Sequence, residues 1–202
     1  MSTILRALTT GAAAVAALGI SCAAFAQSAG DDARSSTQPK PGDSFVGLNI
    51  GKATYGTSCG VAGLTCQNNV TSYSVTAGNM FTRNFGGELS LLNFGTANRA
   101  NGGVSARGIN LSAVGRLPLG DYVGLQGKVG TTYGITHITA PVDSGVVGGK
   151  AKGFGLAYGA ALDVNITHGL KGEIGWEQHD FHFAGQGTSN VRNVTVGLAY
   201  VF

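Results

Sequence analysis

The densest run of reactive side chains is Glu177-Gln-His179-Asp180-Phe-His182. A carboxylate beside an imidazole is the raw material of general acid–base catalysis, and His with acids is that of a metal site. Both uses require the groups to converge. If the run is extended, Glu177 and His179 share one face while Asp180 and His182 share the other. That geometry separates the groups, so residues 177–182 read as the rim of a strand leading into a loop. His137 and His168 are expected at opposite rims and cannot join them. Gly153-Phe-Gly155 is not a phosphate loop, because no helix follows it. No catalytic residue, metal site or cofactor site is expected.

Other chemistry is sparser. Cys59 and Cys66 bracket Gly-Val-Ala-Gly-Leu-Thr. In an exported chain, two cysteines suggest one disulfide closing a small loop, with two free thiols as the alternative. A metal would need further ligands nearby. A stapled loop loses less entropy on binding, which suits an adhesin or host-factor binder, and it equally suits resistance to proteolysis. Glu88, Arg116, Lys128, Asp163, Glu173 and Glu177 stand singly within apolar stretches.

The elements that position these residues show a period of two. In Asn193-Val-Thr-Val-Gly-Leu-Ala-Tyr-Val-Phe202 the even positions are large and apolar, and the odd ones are small or polar except Val201. Leu170 to Gln178 sets Leu170, Ile174 and Trp176 against Lys171, Glu173 and Glu177. The same alternation marks 45–54, 71–81, 85–93, 107–117, 122–132 and 154–164. Side chains alternate across a strand, so eight strands are predicted, each with one apolar face. Short connections at 82–84, 118–121 and 167–169 alternate with long ones at 56–70, 94–106, 133–153 and 179–190. Short turns on one rim and long loops on the other mark an outer-membrane barrel. Tilted strands of about ten residues suit a bilayer crossing, and an even count lets the sheet close without an edge in lipid. The expected fold is an all-β, eight-stranded antiparallel up-and-down transmembrane β-barrel.

Composition agrees. The 202 residues include 34 Gly and only 11% charged residues, against about 25% in ordinary soluble domains. Collagen is excluded by four prolines and the absence of a three-residue glycine period. A net charge of +3 with 43% hydrophobic residues argues against disorder and offers no case for nucleic acid. Arg6, the apolar stretch 11–20 and Ala24-Phe-Ala26 form a secretory signal over residues 1–26, with Gln27 the expected first mature residue. Residues 27–42 read as a flexible leader, and 43–202 as the barrel domain.

The end of the chain, Thr195-Val-Gly197-Leu-Ala-Tyr200-Val-Phe202, is similar to the terminal signal read by the barrel assembly machinery, with Gly197, Tyr200 and Phe202 at its fixed positions. Ala161 to Trp176 is similar to strand six, short turn and strand seven of the OmpA barrel. Residues 43–202 thus resemble the OmpA-like and OmpX-like family of eight-stranded outer-membrane barrels, without the peptidoglycan-binding domain. The resemblance implies a lumen glutamate at Glu173, an acid at Glu88 and a base at Lys128. An eight-stranded barrel is narrow enough for side chains to fill. A lumen charge network of Glu88, Arg116, Lys128, Glu173 and Glu177 is therefore expected, blocking free diffusion.

Barrel enzymes that deacylate lipid A carry a His-x-Ser pair on a strand. Here Phe181 follows His179 at that spacing, and Thr139 follows His137. The expectation is a monomeric, non-enzymatic barrel of the bacterial outer membrane, contributing to envelope integrity and surface-loop recognition or adhesion. A small ion or solute pore is the alternative, and a lipid A-modifying enzyme the third. Expected partners are outer-membrane lipid and lipopolysaccharide, the assembly machinery, and a host surface ligand at the loops; Lys150 and Lys152 read first as ordinary solvated loop charges, with contact to lipopolysaccharide phosphates as the alternative.

Overall fold

In the computed structural model, eight antiparallel strands close into one barrel in sequence order, β8 pairing with β1. They are β1 (Ser44–Tyr55), β2 (Asn69–Met80), β3 (Phe85–Arg99), β4 (Gly102–Pro118), β5 (Val123–Thr139), β6 (Gly149–Thr167), β7 (Leu170–Phe183) and β8 (Gly187–Val201). The structure describes residues 40–57, 67, 69–99, 102–140, 146–167 and 169–202. The signal segment, the leader up to residue 39, Cys59, Cys66 and His168 lie outside the described residues.

The outer wall around the middle of the barrel is a continuous apolar belt. Leu48 and Ile174 are 64% and 62% exposed, and Leu111, Val129, Leu156 and Leu198 also face outward. A water-soluble protein does not present a band of this size to solvent, whereas the acyl region of a bilayer covers it without penalty. Phe81, Phe85 and Tyr200 stand exposed near the short-turn rim. Tyr133 and Phe154 pair in register at the opposite edge, with ring centroids 4.9 Å apart. Two such aromatic girdles bracket the lipid-facing band of outer-membrane barrels.

Several strands run well beyond this belt on the rim opposite the short turns, and their polarity inverts there. On β7, Ile174 and Trp176 face out while Glu173 and Glu177 face in. Farther along the same strand, Gln178, Asp180 and His182 face out and Phe181 and Phe183 are buried inside. On β1, Leu48 and Ile50 give way outward to Lys52 and Thr54, and the lumen side changes from Asn49 to Ala53 and Tyr55. On β4, Ile109 gives way outward to Arg107, and the inner side changes from Asn110 to Ala106 and Val104. The cause is solvent. Lipid covers the lower outer wall and favours apolar residues there; water covers the upper wall, so the apolar groups turn inward. On these three strands the inward and outward parity is kept through the change, and only the chemistry of the two faces is exchanged.

The inversion corrects several expectations. The run 177–182 does not lead into a loop but stays in β7, which ends at Phe183 in a turn over 184–186. The expected long loops 94–106 and 179–190 are mostly strand, and Lys150 and Lys152 lie on β6 rather than in a loop. A search for apolar-out alternation stops where the alternation reverses.

One device ties the upper end together. The β3–β4 register shifts between Asn93 and Thr96, forming a bulge in which Gly95 adopts φ +70. A side chain at Gly95 would be strained, and its Cβ would lie 2.5 Å from the Thr71 carbonyl. The Tyr55 hydroxyl crosses the lumen, donates to the Gly95 carbonyl at 2.8 Å and accepts from the Ala106 N–H at 3.0 Å. Tyr55→Phe leaves that buried N–H unpaired and should destabilise the barrel by about 1–3 kcal/mol. Chemical unfolding followed by tryptophan fluorescence measures it, and an unchanged midpoint would show that the bulge does not need the bond.

Candidate functional site

The lumen is the one place where charged side chains converge among the described residues. Inward positions on β3, β5 and β7 carry Glu88, Lys128, Glu173 and Glu177. Lys128 Nζ lies 3.1 Å from Glu88 Oε2, 3.2 Å from Glu173 Oε1 and 3.4 Å from Glu177 Oε1. Ser90 Oγ donates to Glu88 Oε1 at 3.0 Å. A single ammonium thus holds three carboxylates from opposite walls. Such an arrangement persists in a low-dielectric interior only when each charge is paired and hydrogen-bonded.

Arg116 does not touch this cluster. It forms a separate bidentate pair with Asp163, with Nε donating to Oδ1 at 3.1 Å and Nη2 donating to Oδ2. The pair spans from β4 to β6 over β5, where Gly124 makes room. A Cβ at Gly124 would lie 2.7 Å from Asp163 Oδ1 and 2.8 Å from Arg116 Nε and Nη2. A cavity of about 30 Å3 beside Arg116, Asp163, Lys171 and Glu173, near the short-turn rim, is room for about one water.

Above the cluster lies a layer of neutral hydrogen bonds. Ser72 Oγ donates to Asn193 Oδ1 at 2.6 Å, and Asn110 Nδ2 donates to Thr132 Oγ1 at 2.9 Å. His179 Nδ1 is 2.9 Å from Thr132 Oγ1, and its Nε2 is 3.3 Å from Glu177 Oε2. A hydroxyl, an imidazole and a carboxylate in line have the connectivity of a nucleophilic triad. Burial decides against using it that way. Thr132 has 0% exposure and His179 3%, so neither a lipid chain nor a solute reaches the hydroxyl. The arrangement instead satisfies the buried imidazole and links it to the Lys128 cluster through Glu177.

An apolar plug fills the rest of the lumen up to the projecting rim. Tyr55, Leu92, Phe94, Ile138, Phe181, Phe183 and Val191 pack there with Ala53, Ala97, Val104 and Ala106. Phe94 and Phe181 meet edge to face at 5.5 Å, and Phe94 stacks obliquely on His179 at 5.3 Å. Phe181 lies over Gly134, where a Cβ would fall 2.2 Å from two ring carbons. Reading the sequence missed Thr132, His179, Phe94 and Phe181 as lumen residues. Their signal was present, since all four continue the inward parity of their strands; at Phe94 and Phe181 the apolar and polar faces are exchanged.

The remaining residues singled out in the sequence are scattered. Gly197 faces the lumen beside β1, where a Cβ would collide with Asn49 Oδ1 at 1.7 Å. Tyr200 and Phe202 are exposed. Asp180 and His182 point outward on β7, and His137 lies on the outer wall near the projecting end of β5. Among the described residues no group of three or more His, Cys, Asp or Glu is arranged to hold a metal ion.

Solved structures with the same architecture are outer-membrane proteins. OprG of Pseudomonas aeruginosa matches with a TM-score of 0.59 at 14% identity, over 83% of this chain and 99% of that one. Neisserial surface protein A matches with a TM-score of 0.60 at 10% identity, over 80% and 99%. Ail, the attachment invasion locus protein of Yersinia pestis, matches with a TM-score of 0.54 at 17% identity, over 80% and 99%. At such identities the likeness shows the fold alone. A search of curated proteins returns no significant match. The profile of the outer membrane protein beta-barrel domain matches residues 12–202, nearly the whole chain, and the protein belongs to that family of bacterial outer-membrane barrels.

Proposed function

We propose that this protein is a sealed, non-enzymatic barrel that strengthens the outer envelope and offers its projecting strands and loops for recognition or adhesion. The observation that carries the reading is the double closure of the lumen. Lys128 cross-links three carboxylates from facing walls, and the plug around Phe94 and Phe181 fills the same lumen nearer the outer rim. An apolar constriction excludes water and ions by dewetting, and a paired charge cluster leaves no free path below it. Without a lumen route, the surface above the membrane is the part left to act.

That surface supports recognition. Strands β3 to β8 extend beyond the lipid belt, with polar and basic side chains outward. In the sequence Cys59 and Cys66 fall between β1 and β2, and a disulfide between them would stiffen that connection for binding. Ail, one of the structures with this architecture, carries attachment and invasion in its name. The C-terminal strand with Gly197, Tyr200 and Phe202 is read as the contact with the assembly machinery, and the barrel as a monomer. Cells displaying this protein should adhere to coated host-cell matrix more than cells displaying a variant with residues 57–68 replaced by a Gly-Ser linker. Equal adhesion by both would overturn the recognition role.

A further inference from the structure

The first outward side chain above the apolar belt is a base on four separate strands: Lys52 on β1, Arg107 on β4, Lys152 on β6 and Arg192 on β8. None of them forms a salt bridge among the described residues. Lys52 Nζ donates to Thr71 Oγ1 at 3.1 Å, and Arg192 Nε to Gln178 Oε1 at 3.2 Å, so both are engaged by neutral neighbours. Arg107 and Lys152 differ in position. Arg107 pairs in register with Ile135, and Ile135 with Lys152, so the two bases flank Ile135 from alternate strands, roughly 10 Å apart.

Below Arg107 the outer wall is hollowed into a groove of about 450 Å3 across β2 to β5, lined by Tyr73, Val75, Leu91, Ile109, Tyr133 and Ile135. Tyr73, Ile109 and Ile135 are each about half exposed on the lipid side. The groove therefore combines an apolar trough at acyl depth with Arg107 in its lining and Lys152 one strand beyond its Ile135 edge, at the boundary where the belt gives way to polar residues.

We propose that this groove binds a phosphorylated, acylated glycolipid of the outer leaflet, of the lipid A type. One acyl chain lies along Ile109 and Leu91, and a phosphate takes Arg107 and Lys152. Charge complementarity selects this occupant. A neutral acyl lipid would leave both cations unpaired at the membrane surface, and a soluble anion would leave the apolar trough unfilled. A guanidinium binds phosphate through two parallel N–H bonds, which fixes orientation as well as adding affinity. The proposal rests on the barrel spanning the outer membrane, and not on its being sealed or adhesive.

The test is native mass spectrometry of the protein, purified from outer membranes in mild detergent and exchanged against purified lipid A or its dephosphorylated counterpart. The parent should retain lipid A about tenfold better than the dephosphorylated form, and Arg107→Gln with Lys152→Gln should remove that preference. Arg107→Lys should keep most of it. Val75→Trp, which fills the trough without touching charge, should weaken retention of both lipids several-fold. All these positions face outward, and heat-modifiable gel migration confirms folding of each variant. Equal retention of the two lipids by the parent, or unchanged retention in either the double charge variant or Val75→Trp, overturns the site. None of these outcomes bears on conductance or adhesion, so failure here is distinct from failure of the sealed-barrel reading.

Discussion

Lys128→Met is expected to destabilise the barrel by about 3–5 kcal/mol, because removing one partner of a buried ionic cluster leaves the others uncompensated. Here the remainder is severe. Glu88, Glu173 and Glu177 all lie within 3.1–3.4 Å of the Lys128 ammonium. With methionine at 128, three carboxylates face one another with no cation in contact. Folded domains have about 5–15 kcal/mol in total, so the loss is a large share of the whole. Urea unfolding of refolded protein in liposomes, read by heat-modifiable migration, measures it. Glu88→Gln in the Lys128→Met background should recover part of the loss, since one repelling charge is removed. A loss below about 1 kcal/mol in the single variant would mean that the carboxylates are held by solvent rather than by Lys128.

Phe181→Ala is the second large effect. Phe181 is 1% exposed, packed edge to face on Phe94 and seated over Gly134. Truncating a buried Phe removes its burial and leaves a void, together about 3–5 kcal/mol. The void should not close easily, because the Gly134 backbone on one side and the Phe94 ring on the other belong to different strands of a rigid wall. The same unfolding measurement reports it. A small loss would show that the upper lumen is loosely packed and that the plug is no barrier. The variant has a second expected signature: with the plug breached, protection of the buried amides of Ala106 and Val191 from hydrogen exchange should fall, while strands near the short-turn rim keep theirs.

The belt was legible because lipid imposes one rule on it. Val194, Val196, Leu198 and Tyr200 alternate with Asn193, Thr195, Gly197 and Ala199, and the same two-residue period recurs until eight strands are found. Closure follows from an even number of crossings with no edge left in lipid. The upper half was hidden by the same rule. Phe181 and Phe183 keep the parity of Glu177, but apolar-in after apolar-out reads as the end of a strand. The cluster shows a similar division. Glu88, Lys128, Glu173 and Glu177 were identifiable as inward charges from parity. That Arg116 leaves them for Asp163 depends on Gly124, whose missing side chain opens the path between β4 and β6. Which inward charges meet across a lumen is set by the stagger of the strands, which alternation along any one strand does not encode.

The proposed sealed lumen leaves function to the outer surface of the barrel. Single-channel recording of the refolded protein in a planar bilayer reads that seal most directly. A sealed lumen gives a flat baseline with no stepwise openings in the parent protein. Steady ohmic openings from the folded parent would contradict it and favour the pore.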